Sequence, residues 1–315
     1  MSRLNSSIHV NLTDSVINKL FNKGIYTYVN FINKETNLLI KDTGLSFKEI
    51  VDIKNEIANF LGGRIINNAL DLLKSETIIS SGVSSLDKLL DGGFHSNQIY
   101  EFCGASSSGK TQLCLSIATF IALETNKIVH YIDTKGDFSV LRVEQILNAK
   151  KCKDEEIVRV MENIKVTEVT STNLLFSILH NLGNISLDKF DTKLLIIDSM
   201  STFCLASNKN IESTYSLCNL RNMLRHIKWK YNISIITTNL ITQWSEENAF
   251  ISFKDGVNIT VNVKPTLGKI WLQVPNTRIL LKYLKNEERE ISIWDSLELN
   301  VGEKCNVNIN STGVC

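Results

Sequence analysis

The sequence predicts an α/β protein: a mostly parallel, twisted sheet with helices on both faces, preceded by a small all-α domain. Three observations carry that expectation. From Val83 onward, apolar runs of strand length alternate with longer helical stretches, the pattern of crossovers between parallel strands. Before Gly62 the chain shows helical periodicity and no such run. Between the first long strand and its helix stands FCGASSSGKTQLCL, a turn almost free of large side chains.

The bulk numbers agree. A chain of 315 residues suits one large domain and a small one, and 43% hydrophobic with 21% charged residues is ordinary for a globular protein. The net charge of +1 gives no overall basic field, so contact with nucleic acid must come from local patches. The start MSRLNSSIHV lacks an apolar signal core and no apolar run approaches bilayer length, so no membrane partner is expected. Seven cysteines without a C-x-x-C pair read as reduced thiols of the cytosol or nucleus.

Residues 1–62 form the small helical domain. Ser46 and Glu49 make a capping box, and Ile50, Ile53, Ile57 and Phe60 follow as one apolar stripe. DSVINKLFNKG and YVNFINKE are shorter amphipathic pieces, giving four short helices in all. Gly62-Gly63 breaks the pattern, and residues 63–82 read as a linker with an apolar stripe. Residues 83–315 are the core. NQIYEFCG is a buried strand, KTQLCLSIATFIALE its helix, and KIVHYID, KLLIIDS and NISIITTN are further strands. YSLCNLRNMLRHIKWKY is a long helix buried along Leu217, Leu220, Leu224 and Ile227. After Pro275, TRILLKYL, EISIWDS and KCNVNIN suit added C-terminal edge strands.

The spacing Gly104-x-x-x-x-Gly109-Lys110-Thr111, after a strand and opening a helix, is that of a phosphate-binding loop. Across Gly104, Ala105, Ser106, Ser107, Ser108 and Gly109, backbone N–H groups can converge on phosphate oxygens, and the helix N-terminus adds partial positive charge. Lys110 would reach the outer phosphates, the Thr111 hydroxyl would coordinate Mg²⁺, and Gln112 follows in the first helical turn. KLLIID ends on Asp198, a carboxylate at the C-terminal end of a parallel strand, placed to hold a metal-bound water. The expected ligand is a nucleoside triphosphate with Mg²⁺.

Segments around this loop resemble the RecA-type recombinases of eukaryotes and archaea. SSGVSSLDKLLDGGF resembles their entry segment, and YIDTKGDFSVLRV their second core strand and the turn after it. KPTLGKIWLQVPNTRILL resembles the segment after their second DNA-binding loop, and the N-terminal bundle their small helical domain. TIISSGVSSLDKLLD, GKTQLCL and KPTLGKIWLQVPNTRILL together are most similar to the D branch among the paralogues of the eukaryotic strand-exchange recombinase. The resemblance implies a RecA-like P-loop ATPase core, with ATP and Mg²⁺ as ligands. It also implies nuclear residence and a role in homologous-recombination repair of double-strand breaks and stalled forks. The implied partners are single-stranded DNA, the C paralogue, the X-ray-repair paralogue and the main recombinase.

The departures from the family pattern concern turnover and assembly. Active recombinases carry Ile-Asp-Thr-Glu-Gly where this chain has Ile132-Asp133-Thr134-Lys135-Gly136. The glutamate polarises the attacking water; a lysine, cationic at neutral pH, cannot take that proton, and losing such a base costs on the order of 10²–10⁴ in rate. No catalytic residue is therefore assigned, with Asp133 and Asp137 left as alternative bases. The family's nucleotide-sensing Asn-Gln is here Asn239-Leu240. Its Phe-x-x-Ala docking motif is missing between Gly62 and Gly82, where Ala69, Leu70, Leu72 and Leu73 either dock on another partner or pack on the chain's own core.

Three further assignments have two readings each. Arg142 stands where the family stacks an arginine on adenine, or is a plain surface arginine. Asp295 of IWDS stands where the family caps a neighbour's ATP, but Leu297 follows in place of a proline, and an exposed strand-end Asp is the other reading. Between Leu240 and Lys264, Trp244, Phe250 and Phe253 could stack on DNA bases, with Lys254 and Lys264 on phosphates. Glu246, Glu247 and Asp255 oppose that use, and a packed insertion or hairpin is the alternative. Taken together, the residues suggest an ATP-binding assembly subunit with slow turnover. Its rival is an active DNA-dependent ATPase that forms its own filament and exchanges strands; a small-molecule P-loop kinase would leave the bundle and the recombinase segments unexplained.

Overall fold

The computed structural model describes residues 3–6, 8–62, 76–184, 191–204, 211–243 and 263–315. The chain divides into two compact units, Met1–Lys74 and Ser75–Cys315.

The first unit holds α1 (Asp14–Asn22), α2 (Tyr28–Asn33), α3 (Thr36–Thr43) and α4 (Phe47–Gly62). Local chemistry sets their ends. Thr27 and Asn30 form a capping box at the start of α2, and α3 stops at Gly44, whose φ of 83° is the left-handed conformation a glycine adopts cheaply. Ahead of α4, the Ser46 backbone N–H donates to Glu49 Oε2 at 2.8 Å, while the Glu49 N–H donates to Ser46 Oγ at 3.4 Å. The expected stripe of Ile50, Ile53 and Ile57 is fully buried with Leu12, Leu20, Phe31 and Leu39. Each such side chain contributes about 1.5–3 kcal/mol by leaving water. The Phe60 side chain lies outside the described residues.

The second unit begins earlier than the sequence suggests. The expected linker ran to Gly82, yet β1 (Ile78–Ile79) already pairs antiparallel with β2 (Phe94–His95). The physical reason is burial: Ile79 and Phe94 both enter the core of the second unit, which a free connector would not do. Residues 63–75, with Ala69, Leu70, Leu72 and Leu73, lie outside the described residues.

The main sheet contains β3 (Ile99–Gly104), β4 (Ile128–Asp133), β5 (Ile164–Glu168), β6 (Thr192–Asp198), β7 (Ser234–Gln243), β8 (Val263–Pro265), β9 (Thr277–Tyr283), β10 (Glu288–Ser296), β11 (Lys304–Asn310) and β12 (Gly313–Val314). Their order is β12-β11-β10-β9-β3-β7-β6-β4-β5, with β8 on β7. From β9 to β5 every neighbouring pair is parallel. Helices cover both faces, which is why these strands read as continuous apolar runs. Tyr100, Phe102, Val129, Tyr131, Leu194 and Ile196 face the helices Lys110–Thr125, Val140–Ala149 and Asp154–Asn163. Ile99, Ile132, Leu195, Ile197 and Ile235 face Thr172–Asn184, Ile211–Tyr231 and Gly268–Trp271.

One expected edge strand is interior. TRILLKYL forms β9, parallel to β3 from Tyr100↔Thr277 to Gly104↔Leu281 and antiparallel to β10. Its first five residues are buried, as a central position demands. Only β10, β11 and β12 make the antiparallel extension. The register brings Asp133 opposite Asp198, and Gly104 opposite Leu240, so the C-terminal ends of β3, β4, β6 and β7 open on one edge of the sheet. Open α/β sheets bind their ligands at such an edge.

Candidate functional site

A cleft of about 470 Å³ lies at that edge, lined by Ser106, Ser107, Gly109, Lys110, Thr111 and Gln112 of the loop and helix start, with Lys135, Asp137, Leu240, Arg289 and Ile309 around them. The glycines of the loop are sterically required. A Cβ on Gly104 would sit 2.4 Å from Ser108 Oγ and 2.7 Å from the Leu281 carbonyl; one on Gly109, at φ +100°, would sit 2.7 Å from Ile309 Cδ1. Ala105 is exposed beside them and Ser108 is buried beneath the turn. Lys110 folds back onto the loop, its Nζ donating to the carbonyls of Gly104 (3.0 Å) and Ala105 (2.7 Å) and to Ser108 Oγ (3.2 Å). Burial, then the nearby Lys135 ammonium, lower its pKa from 10.5 to about 8. A buried ammonium held by neutral oxygens next to a second cation is a place where an anion is stabilised.

Opposite stands Asp198, almost fully buried. Thr238 Oγ1 donates to its Oδ1 at 2.5 Å and the Tyr131 hydroxyl to its Oδ2 at 2.8 Å, so both oxygens are oriented and each keeps a further lone pair. Burial first, and the Asp198 charge second, push the Tyr131 phenol well above its usual range, which keeps it a donor. Asp198 is nearly fully buried and is not among the residues lining the cleft. With Thr111 on the cleft wall, these donors fit a hard divalent cation. Among the two acids left as alternative bases, Asp133 is already engaged. Its Oδ1 accepts the N–H of Lys135, Gly136 and Asp137, and its Oδ2 that of Phe138. It shapes the turn and is almost fully buried, whereas Asp137 is exposed on the cleft.

The outlying candidates are dispersed. Arg142 is not on the cleft wall: Nε donates to Gln112 Oε1 at 2.9 Å, a terminal nitrogen to Gln145 Oε1 at 2.6 Å, and the other terminal nitrogen to the Asn310 carbonyl. Those bonds tie the first turn of the loop helix to β11. Asp295 is 65% exposed and accepts from Arg278 at 3.1 Å. Lys264 sits on β8 opposite Thr242, so the segment between Gln243 and Val263 leaves and returns through an antiparallel stem. Trp244, Phe250, Phe253 and Lys254 lie outside the described residues.

A protein-family model described as Rad51 matches residues 74–315, that is, the whole unit that carries the cleft. The chain belongs to the Rad51 family. A second model, described as the RAD51D N-terminal domain, matches residues 1–57 of the helical unit. Among its relatives in the Rad51 family, the chain is 26% identical to "DNA repair protein RAD51 homolog 4" of Bos taurus, over 99% of this chain and 97% of that protein. It is 26% identical to the Mus musculus protein of the same name, over 89% of this chain and 84% of that one. With "Meiotic recombination protein DLH1" of Candida albicans it shares 28% identity over 89% of this chain and 87% of that protein.

Two features of this Rad51-family chain were not anticipated from its sequence. Arg289 and Ile309, from β10 and β11, wall the cleft although they stand far down the chain from the loop. And Glu101, in the middle of β3, is fully buried with three donors: Asn239 Nδ2 (2.9 Å), Trp271 Nε1 (2.7 Å) and Arg278 Nε (2.5 Å). Asn239 in turn accepts from Thr266 Oγ1 at 2.5 Å. Asn239, the first residue of the expected sensing pair, is thus a fixed part of the strand framework, while Leu240, at the sensing position itself, faces the cleft. A charged residue amid an apolar run was the available signal for Glu101; no local signal marked Arg289 or Ile309.

Proposed function

We propose that the larger unit binds ATP with Mg²⁺ and hydrolyses it slowly, the nucleotide fixing the form in which the chain assembles with related proteins on single-stranded DNA. The observation that carries this reading is the pair of cations at the cleft, buried Lys110 with Lys135 beside it, where turnover would call for a carboxylate. A polyphosphate relieves the repulsion between the two ammonium groups. Thr111 would hold Mg²⁺ directly and Asp198 through water, and the ion when bound neutralises phosphate charge. Loop N–H groups orient the phosphates, Leu240 and Ile309 exclude water from the walls, and among the described residues Asp137 is the carboxylate on the cleft wall, with Asp133 already holding its turn.

The relatives' names, DNA repair and meiotic recombination proteins, support a role in DNA repair by homologous recombination; we extend it to double-strand breaks and stalled forks, in the nucleus. The partners we propose are other Rad51-family chains: the C paralogue, the X-ray-repair paralogue and the main recombinase. Trp244, Lys254 and Lys264 are the proposed contacts to single-stranded DNA, and Arg142 is kept as a nucleotide-site residue acting through Gln112. Single-turnover ATP hydrolysis with and without single-stranded DNA tests the reading. Wild type should turn over well below about 1 per second, the low end of ordinary enzymes. Lys135→Glu should raise the rate, and should loosen ATP if Lys135 also contacts phosphate. Brisk DNA-stimulated hydrolysis by wild type would overturn slow turnover in favour of an active filament-forming ATPase.

A further inference from the structure

We infer that Arg289 is a phosphate contact supplied by the C-terminal strands, meeting the nucleotide at the end of its phosphate chain that ADP and ATP share. This rests on the ATP-binding reading above and adds a residue to it. Arg289 lies on β10 and lines the same cleft as Gly109 and Lys110. Its Nε comes within 3.4 Å of where a Gly109 Cβ would stand, so it lies against the second glycine of the loop.

That Nε is buried and has no hydrogen-bond partner. Native structures rarely leave a buried donor so unless something else is meant to meet it. The rest of the side chain is anchored: a terminal nitrogen donates to the Glu288 carbonyl at 3.1 Å, and the guanidinium lies 4.4 Å from the Tyr283 ring centroid. The acids on either side of it in sequence are otherwise engaged, Glu290 with Lys304 (2.8 Å) and Lys282 (4.0 Å), Glu288 with Asn306 Nδ2 (2.8 Å). Among the described residues no carboxylate pairs with Arg289. A fixed guanidinium with an open N–H and no counter-charge is built for a tetrahedral anion.

The strand order says which part of the ligand it meets. Lys135 follows β4 and Asp198 ends β6, both on one side of β3; β9 and β10 lie on the other. A phosphate chain laid over the loop after β3 therefore has Lys135 and Asp198 towards one end and Arg289 towards the other. The metal and the outermost phosphate belong with Asp198, which leaves Arg289 to the inner phosphates.

The test is calorimetric titration of the full chain with Mg-ATP and with Mg-ADP, alongside thermal melting. Arg289→Gln should weaken both nucleotides to the same extent, by about tenfold, as expected for one charge-assisted contact, with nucleotide-free melting close to wild type. Unchanged affinities in that variant, or a loss confined to ATP, would overturn the inference. If Arg289→Gln does not fold, Arg289→Lys decides, since it keeps a positive charge but not the Nε donor. A fall for both nucleotides then supports the contact and unchanged affinity sinks it. Wild type binding neither nucleotide would overturn the site reading and this one together. Binding that Lys110→Ala abolishes and Arg289→Gln leaves intact overturns Arg289 alone.

Discussion

Lys110 is where residue-level chemistry can be read by titration. Its ordinary pKa of 10.5 falls to about 8 in the folded chain, through burial and then through Lys135. Between those values the unfolded chain holds a proton that the folded chain has released, so this group makes folding more favourable as pH rises through that window. Below about 8 the full cost of a buried ammonium is present. Phosphate binding has the opposite preference, because it needs the ammonium. ATP affinity should therefore fall as pH is raised from about 7 to above 9, and Lys110→Arg, which stays charged, should remove most of that slope. A flat profile in wild type would show that Lys110 is not the phosphate contact. The loop was legible because its spacing is fixed by local steric demands that glycine alone meets. The orientation of Asp198 was not, since its two hydroxyl donors, Tyr131 and Thr238, come from strands on either side of it.

Strands β3, β7, β9 and β10 are fastened to one another by Glu101, Asn239, Arg278 and Asp295 as well as by their ladders. Arg278→Met would leave Glu101 charged and buried with two neutral donors. Breaking such a pair costs about 3–5 kcal/mol, to be read as a lower urea midpoint. Pairing it with Glu101→Leu should recover part of the loss, because the uncompensated charge goes too. Equal midpoints for wild type and Arg278→Met would show that the pair adds nothing to stability. This network also marks the limit of reading elements from sequence. The parallel strands announced themselves as apolar runs, but β9 looked like an edge because its place beside β3 is set by pairing between positions some 177 apart, as between Ile99 and Asn276. Likewise IYEFCG reads as apolar, and its one acid finds its reason only when Trp271 and Arg278 arrive from elsewhere. Arg289 sits in EERE, a run that looks like plain solvated surface.

At the scale of the molecule, the cleft and every residue that lines it lie in the unit Ser75–Cys315, while the helical unit Met1–Lys74 has a closed core of its own. We propose that the stretch of Met1–Lys74 beyond the described helices docks a partner through Ala69, Leu70, Leu72 and Leu73. Leu70→Glu with Leu73→Glu should then abolish co-purification with a paralogue while leaving melting nearly unchanged. Survival of the complex, or unfolding of the lone chain, would count against docking and, in the second case, for packing on the chain's own core.

The placing of Ile309 on the cleft wall beside Gly109 has a consequence for how the protein comes into being. The glycine turn leaves the ribosome long before the strands that wall it, and the Val314 N–H that donates to Ser116 Oγ is 198 positions further on. A growing chain that has finished Lys110–Thr125 thus has half a binding site, open on the side that Arg289 and Ile309 will fill. On the proposed ATP-binding reading, nucleotide can be held in its final manner only after β10 and β11 have emerged. Premature stops that remove only β11 and β12 should consequently behave as loss of the nucleotide site, although they leave its signature motif untouched.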